Sequence, residues 1–394
     1  MSQQDRWLLP EGIEEVLPDE ARHLEAMRRQ VLDLFAGWGY ELVMPPLIEY
    51  VESLFTGVGQ DMALQTFTLT DQLTGRLMGV RADMTPQAAR IDAHYLKREA
   101  PVRLAYLGSG FRTRPGGFGG SREPLQLGAE LFGASGADSD AELVTLMVAT
   151  LARVGICDPH IDLGHVGVFR ALSAHAGLGA EAQTRVFDAL QRKARSELEA
   201  LLARDVARNA RDMLLALLDL SGGAEIIGQA RTRLAHAPQT VHEALDNLEA
   251  VAGLVAVEAG MPPLHFDLAE VSGSQYYTGV VFSAFVPGHG RAIAHGGRYD
   301  GIGRAFGRAR PATGFGSDLR QLLRLAAGVA GGAPWAILAP AGDDAELRAE
   351  IARLRGAGER VVQQLSGTSV GAREQGCDRE LVKRNGRWVV QTVR

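Results

Sequence analysis

Apolar residues recur at helical spacing in "DEARHLEAMRRQVLDLFAGWG", where Leu24, Met27, Val31, Leu34 and Phe35 share one face. Asp19 is placed to cap this helix, and Gly37 and Gly39 to end it. "YELVMPPLIEY" reads as a strand at a sheet edge or a bend, because Pro45 and Pro46 cannot donate to a ladder. "QTFTLTD", Gly75 and "RLMGV" predict a hairpin. In "ADMTPQAARIDAHY" Thr85 is a good N-cap and Pro86 suits the first helical position. "VRLAYLGSGFRTRPGGFGGSREPLQLGAELFGA" predicts two strands around a glycine-rich loop, Pro115 to Gly120. A helix follows in "AELVTLMVATLARVGI" and a strand in "HIDLGHVGVF".

From about Ala174 to Val255 the pattern is almost purely helical. Phe187, Leu190, Ala194, Leu198 and Leu201 recur at that spacing, as do Val241, Leu245, Leu248 and Ala252. Strand signals resume at "LHFDLAEV", so residues 174–255 read as a helical insertion inside a sheet-based domain. "EVSGSQYYTGVVF" reads as a buried strand entered through a glycine turn, and "FSAFVPGHGRAIAHGGRYDG" as a hairpin. A helix after Gly316 runs to about Ala327. The small residues at 328–334 form a linker, and 335–394 form a small α/β unit closing on a hairpin with its turn at Asn385-Gly386. The fold class is α+β, with a sheet domain over 1–327.

Composition narrows the function. The 394 residues are 46% hydrophobic and 22% charged, the balance of a soluble globular protein. A net charge of −6 argues against a broad nucleic-acid surface, though a local basic groove is compatible with it. Cys157 and Cys377 are distant in sequence, which predicts neither a disulfide framework nor a zinc site and fits a reducing cytoplasm. "MSQQDRWLLPEG" lacks the charged head and apolar core of a secretory signal, and no apolar run is long enough to span a bilayer. His289 and His295 have no second ligand pair beside them, so no metal is expected. No nucleophile elbow is present.

The remaining candidates are polar residues in apolar surroundings. Arg112, Arg114 and Arg122 flank the glycine-rich loop. An anionic ligand and a solvated surface loop both fit that arrangement, which lacks the Gly-Lys-Ser/Thr ending of a P-loop. In "REPLQLGAE", strand alternation puts Arg122, Gln126 and Glu130 on one face, with Gly128 opening space between the last two. Burial of Gln126 and Glu130 demands partners, either an internal arginine or a ligand's ammonium. Asp83, ahead of the helix at Thr85, is accounted for by the helix dipole alone. On a regular strand only one of Tyr276 and Tyr277 would face a given pocket, and a hydrogen-bonded core tyrosine explains the other.

Six stretches, "LPEGIEEVLPDEA", "GYELVMPPLIEY", "VRADMTPQAAR", "FRTRPGGFGGSREPLQLGAELFG", "SGSQYYTGVVF" and "AHGGRYDG", occur in the order and spacing of histidyl-tRNA synthetases, a resemblance covering about residues 7 to 325. It implies the class II aminoacyl-tRNA synthetase-like fold, an antiparallel sheet flanked by helices with a helical insertion. It also implies histidine-binding residues at Asp83 (a Glu in the enzymes), Thr85, Arg112, Gln126, Glu130, Tyr276 and Tyr277.

The departures fall on the nucleotide side. The catalytic Arg of the enzymes is Ser272, the Asp beside it is Gln275, a loop Glu is Arg114 and a loop Arg is Gly120. Adenylation needs such cations against the developing phosphate charge. The tail is also too short for an anticodon-binding domain of about 100 residues. In this the chain resembles the synthetase paralogues that act as regulatory subunits of short-form ATP phosphoribosyltransferase. That resemblance implies no catalysis, no cofactor, no tRNA and no membrane, with histidine as effector. It also implies self-association as a dimer and a hetero-octamer with the catalytic subunit. The alternatives are an active adenylating synthetase and a scaffold that binds no histidine.

Overall fold

The first helix spans Pro18–Gly37 and buries Leu24, Met27, Val31 and Phe35. Asp19 is not its cap. Pro18, whose fixed φ suits the first turn, starts the helix earlier, and Asp19 lies within that turn, 2.9 Å from Arg22. The computed structural model describes residues 7–56, 60–115, 120–203, 206–270, 276–326, 336–367 and 370–393. The chain divides into two compact units, Met1–Ala327 and Gly328–Arg394.

In the larger unit the expected strand after the first helix splits at its prolines into β1 (Glu41–Leu42) and β2 (Ile48–Tyr50). The predicted hairpin forms as β3 (Phe67–Thr70) and β4 (Leu77–Val80), with β2 completing a three-stranded sheet. β5 (Val102–Ser109) and β6 (Leu125–Phe132) pair antiparallel, and residues 116–119 of the loop between them lie outside the described residues. β7 (His160–His165) is shorter than expected. The residues Val166–His175 turn into a helix because His165 Nδ1 accepts the Gly167 N–H at 3.0 Å and caps it. After β8 (Ser221–Gly222), β9 (Leu264–Asp267), β10 (Val280–Phe285), β11 (Ala294–Arg298) and β12 (Ala312–Asp318), the main sheet is complete.

Its strand order is β1-β5-β6-β12-β11-β10-β7-β9-β8. All neighbours are antiparallel except β1 with β5 and β7 with β9. One sheet face sends Leu127, Ala129, Leu131, Phe282, Phe315, Leu163 and Phe266 into the main core. The helices Pro18–Gly37, Ala137–Arg153 and Gln239–Ala256 join that core. Among the described residues the stretch 174–255 carries five α-helices and a single 3-10 turn, Leu217–Asp219, between Ala180 and Ala256, interrupted by β8. Their apolar faces, including Leu190, Leu198, Leu245 and Leu248, are buried in the same cluster as the sheet.

The smaller unit has β13 (Ala336–Ala339), β14 (Arg360–Gln363), β15 (Arg379–Arg384) and β16 (Arg387–Thr392) in the order β14-β13-β15-β16. Its helix Ala345–Gly356 is capped by Asp344, which accepts the Glu346 N–H at 3.0 Å. Asn385 and Gly386, both at positive φ, make the predicted turn. Ile337, Leu347, Ile351 and Leu381 form a core of its own. Among the described residues no helix is long and apolar enough to cross a membrane.

Candidate functional site

On β6, β12 and β11 the second face of the main sheet is bare of side chains at Gly128, Gly314, Gly316 and Gly297, while Leu104, Tyr106 and Phe132 on the same face join a second buried cluster. Alternation along β6 sends Gln126, Gly128 and Glu130 to that face. The register brings Gly314 opposite Glu130, Gly316 opposite Gly128, and Tyr106 opposite Gly128 from the other side. These glycines make room. A Cβ at Gly314 would fall 1.6 Å from Glu130 Oε2, and one at Gly128 would fall 2.3 Å from the Tyr106 hydroxyl. The space that Gly128 opens is therefore taken by the ring of Tyr106.

Glu130 is 1% exposed and meets tyrosines rather than an arginine. It accepts from the Tyr106 hydroxyl at 2.8 Å and from the Tyr299 hydroxyl. The Tyr106 oxygen also lies 2.8 Å from Thr85 Oγ1. Asp83 Oδ1 accepts the Thr85 N–H at 2.9 Å and the Gln126 side-chain amide at 2.6 Å, while Gln126 Oε1 accepts the Met84 N–H at 2.9 Å. Thr85 is consequently not an N-cap. The helix Thr85–Arg90 begins from Met84 without a side-chain cap, and Thr85 turns its hydroxyl to Tyr106 because Asp83 already holds its N–H. Burial pushes the Glu130 carboxyl up to about 8, against the opposing effect of its hydroxyl donors.

The two tyrosines precede β10 instead of lying on it, so strand alternation does not separate them. Their rings are 5.3 Å apart edge to face, and Tyr276 stacks at 5.0 Å on Tyr299, the residue that donates to Glu130. Both pack against the cluster holding Met84, Tyr106 and Tyr299. The Tyr276 hydroxyl is sealed from solvent and has no hydrogen-bond partner among the described residues. The glycine turn expected ahead of this strand falls on residues 271–275, outside the described residues, as do Ser272 and Gln275.

Arg112 pairs through its backbone, donating its N–H to the Arg122 carbonyl at 2.8 Å and accepting from Arg122 Nε at 3.1 Å. Its half-buried guanidinium acts on His295, which stands on the bare face opposite Gly316. Surrounding protein holds the His295 imidazole below its ordinary range, with Arg112 adding to the effect and Asp83 and Glu270 opposing it. The structure thus draws Asp83, Thr85, Gln126, Glu130, Tyr276 and Tyr277 to one place, with Arg112 beside them.

Sequence reasoning missed Tyr106 and Tyr299, and weighed His295 only as a metal ligand. The signals were an alternation in β5 matching that in β6, and a tyrosine and a histidine inside "AHGGRYDG". Two surface cavities of about 350 and 340 Å³, around Arg308 and around Asp219, do not touch this cluster.

A largely antiparallel sheet with helices packed on it has the architecture of the class II synthetase-like folds. The family model for histidyl-tRNA synthetase matches residues 12–322, and that for the ATP phosphoribosyltransferase subunit HisZ C-terminal domain matches residues 333–391. A relative from Thioalkalivibrio sulfidiphilus, "ATP phosphoribosyltransferase regulatory subunit", is 54% identical over 97% of each chain. One of the same name from Alkalilimnicola ehrlichii is 54% identical, covering 100% of this chain and 98% of its own. A crystal structure described as an ATP phosphoribosyltransferase regulatory subunit/histidyl-tRNA synthetase from Bacillus halodurans C superposes with a TM-score of 0.84. It is 29% identical and covers 95% of this chain and 97% of its own. The chain belongs to the family of ATP phosphoribosyltransferase regulatory subunits.

Proposed function

We propose that the chain is the non-catalytic regulatory subunit of a short-form ATP phosphoribosyltransferase, serving the first step of histidine biosynthesis in the cytoplasm and carrying its feedback inhibition by histidine. The effector binds through Asp83, Thr85, Arg112, Gln126, Glu130, Tyr276 and Tyr277, with Tyr106 and Tyr299 holding Glu130. The observation that carries this reading is the buried Glu130 carboxyl, held between two tyrosine hydroxyls beside the orphaned hydroxyl of Tyr276. A cationic ligand group would stabilise the ionised form of Glu130 that burial alone disfavours, and an imidazole nitrogen supplies a partner for a tyrosine.

Loss of adenylation is supported by the fate of the arginines. Arg320 is turned to Glu123 at 3.4 Å and to the Glu14 carbonyl at 3.3 Å. Arg122 donates to the Arg112 and Glu11 carbonyls and lies over the Phe67 ring. With Ser272 in place of the enzymes' Arg, little cationic charge is left for a triphosphate.

The subunit forms a dimer and a hetero-octamer with the catalytic chain, binding no tRNA. Histidine inhibits by favouring one state of that complex, and linkage makes the active state weaken histidine binding by the same factor. Calorimetric titration of the purified chain with histidine is expected to show saturable binding that Glu130→Ala removes. In the mixture with the catalytic subunit, Glu130→Ala retains activation and loses inhibition. Histidine-dependent pyrophosphate exchange by the chain alone would instead establish an active synthetase, and absence of histidine binding would leave a scaffold.

A further inference from the structure

Three of the nine main-sheet strands lie between β6 and β7, and beyond them the same sheet face carries a second polar cluster. His160 and Asp162 are two apart on β7 and so share a face, and the parallel register sets His265 of β9 directly beside Asp162. His160 Nε2 is 2.7 Å and His265 Nδ1 2.9 Å from the same oxygen, Asp162 Oδ1. The three ligand atoms all lie within 4.8 Å of one another. The other nitrogen of His265 lies 3.5 Å from Ser221 Oγ on β8, the kind of outer contact that orients a metal-bound imidazole.

From this geometry we infer a site for a zinc-class divalent transition metal, held by His160 Nε2, Asp162 Oδ1 and His265 Nδ1. Two imidazoles and one carboxylate suit zinc better than magnesium or calcium, which favour all-oxygen ligation. Bonds of about 2.0–2.2 Å put tetrahedral ligand atoms about 3.3 Å apart. The two short contacts open by about half an ångström to reach that spacing, a movement the exposed His160 side chain can supply. Ligation by these atoms requires any imidazole proton to sit on the other nitrogen, which for His265 faces Ser221 Oγ. Three protein ligands leave a fourth position for water. The ligands come from adjacent strands of one sheet, so the strand register sets their backbone spacing although His265 and Asp162 are 103 residues apart in sequence. His289, one of the two histidines weighed from sequence, is instead engaged by Gln321 at 2.7 Å.

The test uses the untagged full-length chain, stripped with chelator and dialysed, titrated with zinc chloride by calorimetry and followed by thermal denaturation. One saturable equivalent and a raised unfolding temperature are expected with zinc, and neither with magnesium chloride. Zinc binding should be lost in His265→Ala and in His160→Ala, the latter altering an exposed side chain that the fold does not need. It should be unchanged in Cys157→Ser, which removes the exposed thiol nearby in sequence. Absence of saturable binding, binding that survives both histidine substitutions, or binding lost with Cys157 would each overturn the proposal.

Discussion

Tyr276 carries its hydroxyl into the protein and finds no described partner there. An unsatisfied buried hydroxyl costs stability, so removing it is neutral or favourable in the free protein. On the proposed function the same hydroxyl gains a partner when histidine binds. Tyr276→Phe is therefore expected to leave the thermal midpoint unchanged or higher while weakening histidine binding roughly fivefold, about 1 kcal/mol. A calorimetric titration beside a melting curve checks both halves. Glu130 adds a pH dependence. Its carboxyl titrates near 8 when folded and near 4.5 otherwise, so between those values the folded state holds a proton that the unfolded state has released. Its stabilising contribution is complete below about pH 4.5 and is lost as the pH rises through about 8. Glu130→Gln abolishes that slope. Melting both proteins from about pH 5 to about pH 9 should show the variant gaining on the wild type until about pH 8 and no further.

At the scale of elements, caps and turns decided where prediction and structure part. Period and alternation located the first helix, the β3–β4 hairpin, the two strands around the glycine-rich loop and the closing hairpin. They failed at helix starts, where Pro18 displaced Asp19, and Asp83 left Thr85 free to reach Tyr106. "HIDLGHVGVF" misled for a similar reason: a neutral histidine is an uncommon cap, and nothing in the apolar pattern announces it. Burial holds His165 down to about 4. A folded pKa below the usual 6.5 means a stabilising contribution present above about pH 6.5 and lost as the pH falls toward about 4, when Nδ1 must take a proton and release Gly167. His165→Asn keeps an acceptor without a titrating ring. Its unfolding free energy should vary less between about pH 6.5 and about pH 4 than that of the wild type, as chemical denaturation would measure.

At the scale of the molecule, the candidate residues were legible because motifs preserve spacing. Asp83, Thr85, Gln126 and Glu130 were identified from two short stretches and meet in one network. Their wiring was not legible. That Tyr106 fills the gap over Gly128, or that Tyr299 reaches Glu130, depends on pairing across β5, β6 and β12, which no local pattern states. The bare sheet face has a practical use. Gly316 lacks the crowding of Gly128 and Gly314: an added Cβ would come no nearer than 3.5 Å to Leu127 O and 3.8 Å to Gln126 Nε2. Gly316→Ala should thus fold normally and set a methyl group beside Gln126, where the proposed function places the effector. A heterocomplex built with it should stay fully activated and respond to histidine only at raised concentration, in an assay of the catalytic subunit. If the proposed function holds, a single added carbon would uncouple activation from feedback, with every residue of the proposed binding network still in place.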